Sequence, residues 1–223
     1  MRRRWRLLLA LTGALTVAAV GRAAEIGDIV HDTQREAHSN GELTMVWWMP
    51  QAFWEASMSA NPMVTPEARD QVLNTLQEYS IFALVHAKLG SAGLDAPQSR
   101  ADLLQHAKLD IGGKVIEPIA PESLNPAAQA LLASLKPAMA QMAGQFGKAM
   151  EIVVYPARQD GKLLLDPTHT GSFSYALYDE SFTWRLPLGS LLPPKFDPRT
   201  HEQFPGNYEF NPFTGTKLSV TKK

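Results

Sequence analysis

Phe173-Ser174-Tyr175-Ala176-Leu177-Tyr178-Asp179-Glu180-Ser181-Phe182-Thr183-Trp184-Arg185-Leu186 is the stretch on which the fold turns. Phe173, Tyr175 and Leu177 alternate with smaller or polar residues, Asp179-Glu180 interrupts the run, and Phe182, Trp184 and Leu186 resume the alternation. Side chains on a strand point to opposite faces in turn, so this is an antiparallel pair with one apolar face. Upstream, Ile152 to Tyr155, a turn at Asp160-Gly161, and Leu163 to Leu165 read as earlier members of the same meander. Ser80 to Ala87, with Ile81, Phe82, Ala83, Leu84 and Val85 in succession, is too short for a buried helix and too apolar for an exposed strand. It suits a strand covered on both faces. Leu43 to Met49, ending at Pro50, reads as the first strand.

Two helices separate these strands. Thr65-Pro66-Glu67 supplies an N-cap, a first-turn proline and an acid at the positive end of the dipole, ahead of Val72, Leu73, Leu76 and Tyr79. Asn125-Pro126 opens a longer one, with Leu131, Leu135, Met139, Met142 and Phe146 on one stripe and a kink expected near Pro137. Phe53, Trp54 and Met58 fall at helical spacing in a short segment after Pro50. Between Ala101 and Ile116 a helix capped by Ser99 and Asp102 competes with a hairpin turning at Gly112-Gly113, and the hairpin is preferred. The sum is an α+β fold: a largely antiparallel sheet with two main helices packed on one face.

The N-terminus reads as an export leader. Arg2, Arg3, Arg4 and Arg6 precede an uncharged apolar run from Leu7 to Val20, and Gly21 and Ala23 suit the −3 and −1 positions of a cleavage site. Residues 1–23 are therefore expected to be removed, leaving a periplasmic or secreted chain that begins at Ala24. An uncleaved leader is the alternative, and the only membrane attachment this reading contains. Five of the 21 Lys+Arg lie in the leader, so 16 remain against 22 Asp+Glu, a net of −6. With no basic stripe, nucleic acid is not expected as a partner. Zero cysteines exclude disulfides and thiolate metal sites, and about 200 residues suffice for one self-supporting core. Residues 24–42 are polar without a sustained apolar period and read as a flexible lead-in, so the α+β domain is placed at 43–192.

The C-terminal segment, 193–223, carries a resemblance. Asp197-Pro198-Arg199-Thr200 lies ten residues before Asn211-Pro212-Phe213-Thr214-Gly215, which Phe210 precedes and Thr216-Lys217-Leu218 follows. This resembles a zinc ribbon whose two Cys-Pro-x-Cys-Gly knuckles have lost every cysteine. The resemblance implies two turns converging on one point, joined by polar hydrogen bonds in place of a metal, and it implies no activity. The alternative is a turn-rich, proline-rich tail. The remainder of the chain resembles uncharacterised exported bacterial proteins.

Chemical signatures are sparse. The six histidines include no His-Glu-x-x-His pattern and no i, i+4 pair, and the nucleophile-elbow, phosphate-loop and dinucleotide-loop glycine patterns are missing. No cofactor or metal is expected. His86 reads as a hydrogen-bonded core histidine. Asp166, His169 and Ser172 share one inter-strand loop and form a candidate acid, base and nucleophile. Trp47, Trp48 and Trp54 form the densest aromatic group with Phe53. Trp47 and Trp48 must point to opposite faces of their strand, so an uncovered face would present one ring as an anchor for a protein or apolar ligand, and a covering helix would make it core. The expected function is that of an exported, non-enzymatic binding or envelope-associated protein, and the alternative is an envelope hydrolase using the loop cluster.

Overall fold

A computed structural model describes residues 26–91 and 93–221. The expected cleaved leader, residues 1–23, lies outside the described residues. The α+β class holds, with every paired strand antiparallel.

The strands divide into two sheets. The first contains β1 (Gln34–Ser39), β2 (Glu42–Met49), β3 (Tyr79–Gly90) and β4 (Gly93–Asp95), with β7 (Glu151–Pro156) on the β3 edge beside β4. The second runs β11 (Glu180–Leu186), β10 (Gly171–Leu177), β5 (Ala107–Ile111), β6 (Lys114–Ile116). The expected single meander is thus split: β7 joins β3, β10 and β11 join β5, and the two-residue strands β8 (Arg158–Gln159) and β9 (Lys162–Leu163) pair only with each other. Burial explains the division. Val46, Trp48, Phe82, Leu84 and Tyr155 of the first sheet and Phe173, Tyr175, Phe182 and Trp184 of the second form one apolar layer between the sheets.

The alternate residues of the first sheet, Leu43, Met45, Met49, Ile81, Ala83 and Val85, face the helices. These are α1 (Ile26–Thr33), α2 (Gln51–Ser59), α3 (Pro66–Leu76) and α5 (Pro126–Ala149). α3 and α5 start where their caps predict: Thr65 Oγ1 accepts from Ala68 N at 3.2 Å and Asn125 Oδ1 from Ala128 N at 2.8 Å. α5 carries Pro137 but departs from helical geometry at Gly144, where φ is 57°. Both readings of 101–116 have a part: Ser99 caps a short α4 (Arg100–His106), and β5 and β6 follow as a hairpin. Gly112 and Gly113 both have positive φ at that turn, as a two-residue type I′ hairpin requires.

The flexible lead-in expected over 24–42 is a correction. From Ile26 onward it is α1, β1 and the start of β2. Ile29 and Thr33 of α1 are buried, and β1 is an edge strand whose polar side chains are exposed or half-buried. An edge strand and a two-turn helix offer little apolar period, which is why composition misled. The turn itself was legible: Asn40-Gly41, with φ of 53° and 76°, is a strong hairpin signal.

Beyond β11 the chain forms a small lobe. β12 (Lys195–Phe196) pairs with β13 (Gln203–Phe204), and bridges join Phe196 to Ser219 and Phe210 to Lys217. Phe204, Leu218, Asp197 and Asn211 are buried within it.

Candidate functional site

Of the loop cluster, the structure joins two members. Asp166 Oδ2 lies 2.8 Å from His169 Nδ1. Burial pushes the Asp166 carboxyl up, but hydrogen bonds from the Thr168 hydroxyl (2.7 Å) and amide (2.9 Å), with His169 beside it, outweigh that and hold it below its usual value. Ser172 sits on the exposed face of β10 and bonds to neither. His169 has 80 % of its side chain exposed. An oriented imidazole in open solvent, without an attached nucleophile, is an incomplete relay.

Of the three candidate tryptophans, Trp48 is buried and Trp47 and Trp54 are half-buried. Trp48, 2 % exposed, packs edge-on against Phe173 between the sheets. Trp47 faces the helical layer, edge-on to Phe53, with Nε1 donating to Thr33 Oγ1 at 3.2 Å. Trp54 Nε1 donates to Met49 O at 3.1 Å. Both faces of β2 are therefore covered, while Trp54 lines a small apolar pocket with Val72, Leu76, Leu131 and Leu135. His86 is a buried residue whose Nδ1 lies 2.9 Å from Thr44 Oγ1, and its ring stacks on Tyr178, which stacks in turn on His106. That stack ties β3 to the β10–β11 turn.

The site that sequence reasoning missed is a cleft of about 910 Å³ between β1, β11 and the C-terminal lobe. Its geometry grows from the C-terminal end of α1. Thr33 O accepts from Trp184 Nε1 at 3.0 Å and Asp32 Oδ2 from Ser190 N at 2.7 Å, so the helix end is pinned to β11 and to the turn after it. The Arg35 side chain lies across Trp184, its Cζ 5.5 Å from the ring centroid, and Nη1 donates to Gln34 O (2.7 Å) and His31 O (3.2 Å). Burial lowers the Arg35 pKa, and Asp32 pulls the other way. Thr183 and Arg185, alternating outward from the buried Phe182 and Trp184, form the facing wall, and Asn207 and Tyr208 close the end. His31 and Arg35 belong to the stretch that composition assigned to a mobile arm. Asn40-Gly41 was the signal that could have placed them on a sheet edge.

In the C-terminal lobe the two turns meet. Asp197 Oδ1 accepts from Arg199 N (2.8 Å) and Thr200 N (3.3 Å), and Asn211 Oδ1 from Phe213 N (2.9 Å) and Thr214 N (3.3 Å). Asn211 Nδ2 then donates to Asp197 Oδ2 at 2.7 Å, with the Thr214 hydroxyl at 3.4 Å. The Arg199 amide first, then Asn211, Thr200 and Thr214, hold the Asp197 carboxyl below its usual value against the opposing effect of burial. One carboxylate, one amide and two hydroxyls, already bonded to one another and to main-chain amides, do not fit the sulfur and nitrogen donor set of structural zinc.

No protein-family model, curated protein or solved structure matches the chain.

Proposed function

We propose that this chain is an exported, non-enzymatic binding protein that takes its ligand in the cleft between β1, β11 and the C-terminal lobe. The observation that carries the reading is the cleft itself: at about 910 Å³ it is of ligand-site size, and polar groups on three separate segments converge on it. The C-terminal lobe is read as a metal-free ribbon whose role is to hold Asn207 and Tyr208 at the cleft mouth. The leader, residues 1–23, delivers the protein across the membrane and is cut off.

The test is a ligand-observed NMR screen of small polar compounds against the chain from Ala24 onward, repeated with Thr183→Trp, which fills the cleft from an exposed strand position. Hits that vanish in the variant support the reading, and hits that all persist overturn it. The hydrolase alternative draws on the 2.8 Å Asp166–His169 pair. Labelling by a fluorophosphonate at Ser172, abolished in His169→Ala, would restore it. Export is read by mass spectrometry, with a periplasmic species starting at Ala24 expected and a full-length cytosolic one opposing.

A further inference from the structure

We propose that the cleft recognises an anionic group, a carboxylate or phosphate, through the guanidinium groups of Arg35 and Arg185. This rests on the cleft being the ligand site and names the chemistry of its occupant.

Arg35 carries the argument. Its guanidinium is partly withdrawn from water and fixed over Trp184, with Nη1 committed to two main-chain carbonyls. Among the described residues Nε and Nη2 have no acceptor and no carboxylate is in ion-pair contact with the group, Asp32 attracting it only from farther off. Desolvation without ion pairing is unfavourable for a cation, and a bound anion relieves it. A guanidinium already held in place also loses little side-chain freedom on binding.

Arg185 lines the same cleft from the opposite wall, and its side chain has no hydrogen bond or ion pair among the described residues. Two carboxylates also line the walls and offset part of this charge, Asp32 by attracting the Arg35 guanidinium. Asp32 Oδ2 accepts from Ser190 N at 2.7 Å, and Glu36 lies 3.6 Å from His38 Nε2. The charged hydrogen-bond donors left without an acceptor among the described residues are the Arg35 Nε and Nη2 and the Arg185 guanidinium. The hydroxyls of Thr183 and Tyr208 and the amide of Asn207, which bond to no other side chain among the described residues, are available beside them for the neutral part of a ligand.

The experiment titrates the chain from Ala24 onward with inorganic phosphate, citrate and neutral erythritol by calorimetry. The same titrations are run on Arg35→Gln, Arg185→Gln and Thr183→Trp. The expected result is binding of phosphate, citrate or both, weakened about tenfold or more by each arginine variant, weakened by added sodium chloride, and abolished in Thr183→Trp. Phosphate alone or citrate alone identifies which anion the site takes. Binding that is unchanged in both arginine variants overturns the proposal, as does the absence of any response to either anion. Erythritol or screening hits blocked by Thr183→Trp while neither anion competes would sink the anionic assignment and leave the cleft standing as a ligand site. Melting temperatures check that the variants fold, and Arg185→Gln, at an exposed position, keeps the test open if Arg35→Gln does not.

Discussion

A buried polar contact joins the two sheets, and replacing it gives a sharp prediction. Tyr155 on β7 and Tyr175 on β10 bring their hydroxyls to 2.7 Å, with the residues 1 % and 0 % exposed. Tyr155→Phe or Tyr175→Phe preserves the ring, and with it the edge-on packing of Phe82 on Tyr155, but leaves the other hydroxyl buried and without its partner. Stranding a buried hydroxyl costs about 1–3 kcal/mol, whereas removing both partners with shape preserved is close to neutral. Each single variant should therefore lose about 1–3 kcal/mol, and the double variant should be more stable than the sum of the two losses implies, with a coupling of about 1–2 kcal/mol. Urea denaturation followed by tryptophan fluorescence and by far-ultraviolet circular dichroism gives all four corners of the cycle. Strictly additive losses would refute the reasoning, because they would mean that the two hydroxyls do not depend on each other.

The same pair sets an alkaline limit. Burial pushes Tyr155 up to about 12 and Tyr175 well above its ordinary value of 10.0, so the folded protein keeps protons that the unfolded chain releases near pH 10. Stability is fully present below that pH and falls by about 1.4 kcal/mol per pH unit for each tyrosine as pH rises toward 12. The double phenylalanine variant should lose this slope, and an unchanged slope would count against it. In the C-terminal lobe, Asn211→Leu should speed amide exchange over residues 195–219 while β3 and β7 keep their protection. Converting Asp197, Thr200, Asn211 and Thr214 together to cysteine should create a site binding one cobalt ion with tetrahedral thiolate bands, and failure to take up metal would remove the ribbon reading. A Cβ at Gly206 would overlap the Pro193 carbonyl oxygen and the Leu192 side chain. Gly206→Val should therefore cost about 1–3 kcal/mol, and an unchanged denaturation midpoint would show that this contact does not hold the lobe.

Sequence alone determined the local elements wherever period and punctuation agreed. Phe173, Tyr175, Phe182 and Trp184 alternate because one face of β10 and β11 is core, and Thr65 and Asn125 cap helices because their side chains meet orphaned amides three residues on. These are interactions within a few residues, so they are written in order along the chain. Tertiary structure decided whatever depended on distant partners: that β7 would pair with β3 rather than with its neighbours, that Trp47 and Trp48 would both be covered, and that Ser172 would stand apart from His169. The cleft is the clearest case. Its walls come from residues near 35, 185 and 208, and the polar edge strand that supplies Arg35 has no apolar rhythm of its own, since its place is set by pairing with β2 and by Trp184 lying beneath it.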